Sequence, residues 1–471
     1  MELLLTLDRR GGTGATPLHA QLEQQLREQV RDGRLPPGTR LPATRELAQQ
    51  LAVSRGVVVE AYAQLTAEGY LATRRGAGTI VATAPRMLRP PPAPLAVRAL
   101  PEDFHPGMPD LAGFPRDAWL RSLRATAREA PDAAYGYADP AGAPELRAAL
   151  AAYLARARGV AAEPERLLVT SGLTQGVALL ARALRAGGAR RVAVEDPGFF
   201  LHRMVLAHAG LEVVPVAVDE EGLRTDLLAA VAADAVLVTP AHQAPLGGVL
   251  GPARRAALLA WAERHDAIVI EDDYDAEFRY DREPVGALQG LASERVAYAG
   301  CASKTLAPGL RLGWLALPGA LTAPLRWEKT MDDVGTPVLD QLAFADFVAR
   351  GDLDRHLRRM RPRYRARRDA LVDALARELP QWRVSGVAAG VNLVALLPQA
   401  TDERALLRRA ADAGMVLHGL SRYRVAPGPP GLVLGFGNVS EPAIARGIAR
   451  LAQVYGALEP AAAADPEPAA R

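Results

Sequence analysis

Residues 295–318, RVAYAGCASKTLAPGLRLGWLALP, contain two short apolar runs joined by a turn that carries Ser303, Lys304 and Arg311. Upstream the same kind of run recurs: AIVIED at 267–272, AVLVTP at 235–240, EVVPVAV at 212–218, RVAVED at 191–196 and RLLVT at 166–170. The runs are rich in β-branched residues, and stretches with helical spacing separate them. Strands alternating with helices predict an α/β domain whose mainly parallel sheet is covered on both faces. In such a sheet ligands bind just beyond the C-terminal ends of the strands, so the residues after each run form the candidate site.

After RLLVT, Ser171-Gly172-Leu173-Thr174 opens a helix, and backbone amides at a helix start with hydroxyls nearby make an anion cradle. After RVAVED, Phe199 either stacks on a flat ring or belongs to the core. After AVLVTP, His242 and Gln243 are the local polar groups. After AIVI come Glu271, Asp272, Asp273, Tyr274 and Asp275. A solvated acidic loop or a metal site would account for these, but no convergent metal ligands occur elsewhere and no metal is expected. After RVAYAG comes Lys304.

A phosphate cradle, an aromatic, a strand-end acid and a lysine fit one cofactor, pyridoxal 5'-phosphate (PLP). It needs an amine for its Schiff base, a carboxylate at the pyridine nitrogen and a phenol at the ring oxygen. The expected holders are Lys304 for the aldehyde, Asp272 for the pyridinium and Tyr274 for the ring hydroxyl. Arg311, Thr174, Ser303 and the turn Gly172-Leu173 are expected at the phosphate, with Phe199, His242 and Gln243 completing the pocket.

Composition sharpens the choice of lysine. The chain has 471 residues, and lysine occurs only at Lys304 and Lys329, so 54 of the 56 basic residues are arginine. Codon bias in a GC-rich genome explains the excess, and arginine serves as well for surface charge. It cannot act as an amine nucleophile, which marks Lys304 for chemistry and leaves Lys329, in RWEKTMDD, without a role. The single Cys301 excludes an intramolecular disulfide framework and any multi-cysteine zinc module. No apolar run reaches the roughly 18 residues needed to span a bilayer, and MELLLTLDRR lacks a basic leader, so a cytoplasmic protein without membrane contact is expected. A net charge of only +3 means that nucleic-acid binding must come from a local patch.

The N-terminal 83 residues read differently. Leu18, Leu22, Leu26 and Val30 recur every four residues as one helix face, ended at Gly33. A second helix, TRELAQQL, starts with Thr44 as N-cap, and a tight turn leads to a third, SRGVVVEAYAQLTAEG, capped by Ser54. YLATRR and GTIVA around Gly76 then form a hairpin. Three helices and a hairpin predict a winged helix-turn-helix, which places Ser54 and Arg55 at base edges and the wing on the backbone. Thr44, Arg45, Arg74, Arg75 and Gly76 complete the expected face for double-stranded operator DNA. Residues 84–103 contain six prolines and read as a linker, 104–458 form the large domain, and 459–471, EPAAAADPEPAAR, lack large apolar residues and are expected to be disordered.

The segment LPPGTRLPATRELAQQLAVSRGVVVEAYAQLTAEGYLATRRGAGTIV resembles the GntR family of bacterial transcription regulators. YGYADPAGAPELR, VEDPGF, TPAHQAPLG, IEDDYDAEFRYD, SKTLAPGLRLGW and RHLRRMRPRYRARRDAL resemble fold-type I aminotransferases, and more narrowly the MocR subfamily, in which the two are fused. The resemblance implies a PLP-dependent transferase fold with a smaller C-terminal α+β subdomain. It also implies a head-to-tail, domain-swapped homodimer in which Tyr137 reaches the partner's phosphate. Against the family pattern, Gly56 and Val57 follow Ser-Arg, Cys301 stands where threonine is usual, Ala244 and Leu246 replace pocket residues, and LVLGF at 432–436 lacks the preceding substrate-carboxylate arginine. Arg422 or Arg424 could substitute for it, although both also read as surface arginines. The eight arginines from Arg355 to Arg368 read as a solvated helical face broken at Pro362. The expected function is a regulator that senses PLP, or its aldimine with a small amino compound; the alternative is an active aminotransferase carrying a DNA-binding domain.

Overall fold

The computed structural model describes residues 3, 5–8, 16–74, 78–82, 102–280 and 285–458, and the chain forms two compact units, 1–97 and 98–471. The first has helices α1 (Leu18–Arg31), α2 (Thr44–Gln50) and α3 (Arg55–Ala67), then strands β1 (Leu71–Arg74) and β2 (Gly78–Val81). Leu22 and Leu26 of α1 are fully buried against Val58, Ala61 and Leu65 of α3, and Gly33 turns the chain at φ +72°. The hairpin is antiparallel, Leu71 facing Val81 and Arg74 facing Gly78, and completes a winged helix-turn-helix.

Two details of the helix starts differ from expectation. Thr44 is the first helical residue rather than the cap, because Ala43 still holds the extended backbone of Pro42-Ala43. Ser54 does occupy the cap position of α3, but its hydroxyl accepts no capping hydrogen bond. Arg75 and Gly76, most of the Pro-rich linker and the tail 459–471 lie outside the described residues.

All seven expected runs form strands of the large unit: β3 (Leu167–Thr170), β4 (Arg191–Asp196), β5 (Glu212–Asp219), β7 (Ala235–Val238), β8 (Ile268–Asp273), β9 (Val296–Cys301) and β10 (Gly313–Ala316), with a short β6 (Gly222–Leu223). Their order is β3-β10-β9-β8-β7-β4-β5-β6; the central pairs are parallel, while β10 and β6 run antiparallel to their neighbours. Side chains alternate between two cores. Val194, Leu237 and Ile270 pack with Leu180 of helix Leu173–Ala186, whereas Ala193, Val236 and Val269 pack with Trp261 of helix Pro252–Arg264. A four-stranded antiparallel sheet follows, β11 (Arg383–Ser385), β12 (Asn392–Leu396), β13 (His418–Gly419) and β14 (Gly431–Gly435), ordered β11-β12-β14-β13. With helices Glu403–Asp412 and Glu441–Gly456 it makes the α+β subdomain. No described helix is long and apolar enough to cross a membrane.

The arginine run is not broken at Pro362, and its face is largely solvated as expected: Arg355, Arg358, Arg359, Arg363 and Arg365 are exposed, Arg361 and Arg368 are half-buried, and Arg367 is buried. One helix, Asp352–Glu378, passes through Pro362 without interruption, because Leu353, Met360, Tyr364 and Leu371 are buried on both sides of the proline and outweigh its local cost of about 3 kcal/mol. Arg363 and Arg367 both reach Asp110 Oδ2, at 2.9 and 3.1 Å, and Arg361 and Arg368 donate to the carbonyls of Glu277 (3.0 Å) and Val387 (2.8 Å). Arg365 and Arg367 donate to the carbonyls of Tyr280 and Gly437. These arginines knit the large unit internally.

Candidate functional site

A cavity of about 230 Å³ opens beyond the C-terminal ends of β3, β8 and β9. Lys304 lines it from the turn after β9. The amine packs against Gly107, where an added Cβ would stand 2.6 Å from Nζ and displace it, and the backbone is at φ +71°, which favours glycine. Ser303, Cys301 and Arg311 line the same side.

The five residues Glu271 to Asp275 divide by strand alternation. Glu271 is fully buried and accepts the backbone N–H groups of Leu288 and Gln289, at 2.9 and 3.0 Å. Asp273 is paired with Arg158 (2.7 Å) and accepts the Tyr298 hydroxyl (2.8 Å). Asp272 and Tyr274 point the other way, into the cavity. Asp272 is 3% exposed, and its Oδ1 is buried with no hydrogen-bond partner. Burial, reinforced by Asp273, Asp275 and Glu195, pushes its carboxyl well above the usual range, while Lys304 pulls the other way.

His202 Nε2 lies 3.5 Å from Asp272 Oδ2, and burial, with the Arg203 charge, lowers that imidazole to about 4, so it is neutral at pH 7. Tyr274 Oη is 3.0 Å from His242 Nδ1, which is 2.9 Å from Asp275 Oδ1. A proton on Nδ1 held by Asp275 leaves the phenol hydrogen free for the cavity, and burial holds that phenol protonated.

The turn expected to cradle an anion lies at the start of helix Leu173–Ala186. Gly172 occupies its N-cap at φ +94° and ψ 170°, and a Cβ there would lie 2.8 Å from Arg311 Nη2. Arg311, itself left-handed at φ +51°, donates from Nη2 to the Ser171 carbonyl at 2.5 Å. The guanidinium is thus seated on the turn whose next residues, Leu173 and Thr174, line the cavity.

Other expected residues are placed elsewhere. His242 stands behind Tyr274 instead of lining the cavity. Gln243 spends its amide on Glu195 (3.2 Å) and the carbonyls of Pro197 (2.9 Å) and Ala244 (2.8 Å), so it closes a turn, and Ala244 and Pro245 form the wall. Arg422 lies with its guanidinium 3.9 Å from the centre of the Phe200 ring, outside the lining, and Arg424 is likewise outside it. Tyr137 is 96% exposed. Phe199 does line the cavity, edge-on to His202 at 5.0 Å. Among the lining residues that escaped sequence reasoning are Gly107, His202, Asn392 and Tyr423. None of these four follows a strand of the large sheet directly, and of them only His202, in the helix that Phe199 caps, carried a local signal.

In the N-terminal unit, Ser54, Arg55 and Gly56 are exposed at the start of α3 and Arg45 is exposed near the start of α2, with Thr44 half-buried beside it. Neither Arg45 nor Arg55 has an ion-pair partner among the described residues. The two helix starts therefore offer free guanidinium groups and a hydroxyl, the donor types that bind phosphates and guanine edges. The backbone of Arg74 ends β1 beside the wing turn.

Known proteins match both units. Residues 18–81 match the model of the bacterial regulatory proteins of the gntR family, and residues 109–430 match that of aminotransferase class I and II. Winged helix and cofactor-type cavity together define a GntR-type transcription regulator with an aminotransferase-like domain of fold-type I. More narrowly, the chain belongs to the MocR subfamily of GntR regulators.

It is 36% identical to the "Probable rhizopine catabolism regulatory protein MocR" of Rhizobium meliloti, over 97% of each chain. It is 37% identical to the pyridoxine biosynthesis transcriptional regulator PdxR of Corynebacterium glutamicum, over 90% of this chain and 93% of that one. Among solved structures it is similar to a kynurenine aminotransferase of Pyrococcus horikoshii in complex with PMP. The TM-score is 0.70 at 26% identity, covering 75% of this chain and 90% of the other.

Proposed function

We propose that the large unit binds PLP and reports its state, or that of an amino compound joined to it, to an operator-binding winged helix. The observation that carries this is the buried, partnerless Oδ1 of Asp272 in the cavity that Lys304 lines. A protonated ring nitrogen satisfies that oxygen and neutralises a carboxylate that burial otherwise disfavours. PLP, when bound, supplies an aldehyde that condenses with an amine and a ring that withdraws electrons. Lys304 offers the amine, and its place against Gly107 limits the directions it can take. Tyr274 would offer its phenol to the ring oxygen, Phe199 would supply an aromatic wall, and Arg311 with Thr174, Ser303 and the Gly172 turn would hold the phosphate. His242 and Gln243 support this pocket from behind its wall.

Sensing is favoured over turnover. Among the described lining, Lys304 and Arg311 are the cationic side chains, and both are assigned to the cofactor. The C-terminal sheet contributes Asn392 and Val433, and Arg422 is engaged on Phe200, so a substrate carboxylate finds no arginine clamp. Ligand binding would then act by shifting a dimer between states of different DNA geometry. A head-to-tail homodimer accounts for Tyr137 standing in solvent, available to a partner's phosphate, and for the exposed Trp327 and Met331 on one helix. Such a regulator works in the cytoplasm, and Arg45, Arg55 and the wing arginines Arg74 and Arg75 are its operator contacts. Incubating the purified protein with a panel of amino acids and 2-oxo acids tests the choice: ligand-dependent spectral change without accumulating keto acid is expected. Sustained keto acid production identifies an aminotransferase that carries a DNA-binding domain.

A further inference from the structure

Lys329, the second of the two lysines, lies in helix Gly319–Asp333 and is fully buried. Its Nζ donates to Asp333 (2.8 and 2.5 Å), Thr336 Oγ1 (2.8 Å) and Gln175 Oε1 (3.2 Å), which uses all three ammonium protons. Three acceptors converging on one nitrogen need three N–H donors on that atom, which a planar guanidinium cannot supply, so arginine cannot replace lysine here.

Gln175 is equally committed. Its Oε1 also accepts the Ser171 N–H (2.7 Å), and its Nε2 donates to Asp332 and Asp333, at 2.7 and 2.8 Å. Ser171 is therefore held at both ends, by Gln175 on its N–H and by Arg311 on its carbonyl. In the other direction, the Thr336 carbonyl accepts Gln341 Nε2 (2.7 Å), and Gln341 Oε1 accepts the Ala143 N–H (2.7 Å), beside the turn that follows Tyr137. Lys329, Gln175, Thr336 and Gln341 are all outside the cavity lining.

We propose that Lys329 is a positioning residue for phosphate binding: through Gln175 it fixes the Ser171–Thr174 cradle, and through Thr336 and Gln341 it braces the segment that presents Tyr137. The proposal rests on the cavity being a PLP site, and it gives the second lysine a role that touches no cofactor atom. A buried ammonium must be matched by its partners, so the network is rigid, and rigidity behind a binding shell is what keeps the shell in place.

The test compares PLP with pyridoxal, which has the same ring and aldehyde but no phosphate, in titrations of the full-length apoprotein. Lys329→Met is expected to weaken PLP about tenfold, the scale at which orienting groups behind a binding shell act, and to leave pyridoxal affinity unchanged. Gln175→Met keeps the Lys329–Asp333 pair and cuts the link to Ser171. It should show the same split, and it decides the matter if Lys329→Met does not fold. Equal weakening of both ligands, or no change in either, overturns the proposal. A wild-type protein that binds PLP no more tightly than pyridoxal would instead refute the phosphate site itself, before any variant is made.

Discussion

Replacing Gly172 with alanine strikes the cradle at its most constrained point. At φ +94° and ψ 170° the backbone lies where essentially only glycine is found, and holding alanine there costs about 1–3 kcal/mol. The new methyl would also sit 2.8 Å from Arg311 Nη2 and 3.0 Å from its Cζ, so the guanidinium must shift from its seat on the turn, which puts its bond to the Ser171 carbonyl at stake. A hydrogen bond to a charged group contributes about 1.5–3 kcal/mol, so losing Arg311 from the phosphate site should weaken PLP roughly 10- to 100-fold. Gly188→Ala is the control, since Gly188 is also left-handed, at φ +103°, but an added Cβ meets nothing within 4 Å. Titrating apoprotein with PLP by visible absorbance, with thermal unfolding in parallel, should show both variants destabilised and only Gly172→Ala impaired in binding. Wild-type PLP affinity in Gly172→Ala, or an equal loss in Gly188→Ala, would refute the reasoning.

Asp272→Asn removes a carboxyl that burial already disfavours, so the apoprotein should melt no lower than wild type while its PLP affinity falls. Arg55→Ala should weaken operator binding and reduce the slope of log affinity against log salt by about one, read by fluorescence anisotropy at several salt concentrations. Burial raises Glu195 to about 7, so the folded state holds a proton that the unfolded state releases near the ordinary value. Its contribution is present below the unfolded value and lost as pH rises towards 7. Glu195→Gln should therefore gain about 3 kcal/mol on wild type between pH 4 and pH 8, measured by denaturant unfolding across that range.

The strands of the large sheet were legible because runs such as AVLVTP and AIVIED are short, β-branched and bounded by polar residues. Asp272 and Tyr274 were picked from the acidic run by the chemistry the cofactor needs, and strand alternation is the physical reason they, and not Glu271 and Asp273, face the cavity. What the sequence hid were partners distant along the chain. Gly107 matters because Lys304 packs on it, and Asn392 and Tyr423 come from a subdomain whose placement no local pattern encodes. The arginines from Arg355 to Arg368 are mostly exposed, as their composition suggested, but the backbone carbonyls that several of them reach leave no trace in composition. His242 and Gln243 were visible as polar strand-end residues, but spacing could not show that Tyr274 and Ala244 stand between them and the cavity. Lys329 carried a compositional signal with no motif, and its meaning emerged only from three acceptors meeting at one buried nitrogen.

The central claim, that Lys304 is the residue joined to PLP, is open to one direct measurement. Borohydride reduction of the PLP-loaded protein fixes a carbonyl-to-amine linkage, and peptide mass spectrometry then locates the added mass. With two lysines in the chain, the account predicts a single modification, on the peptide containing Lys304, lost in Lys304→Ala. Labelling of Lys329 instead, or a wild-type protein that retains no reducible cofactor, would contradict it.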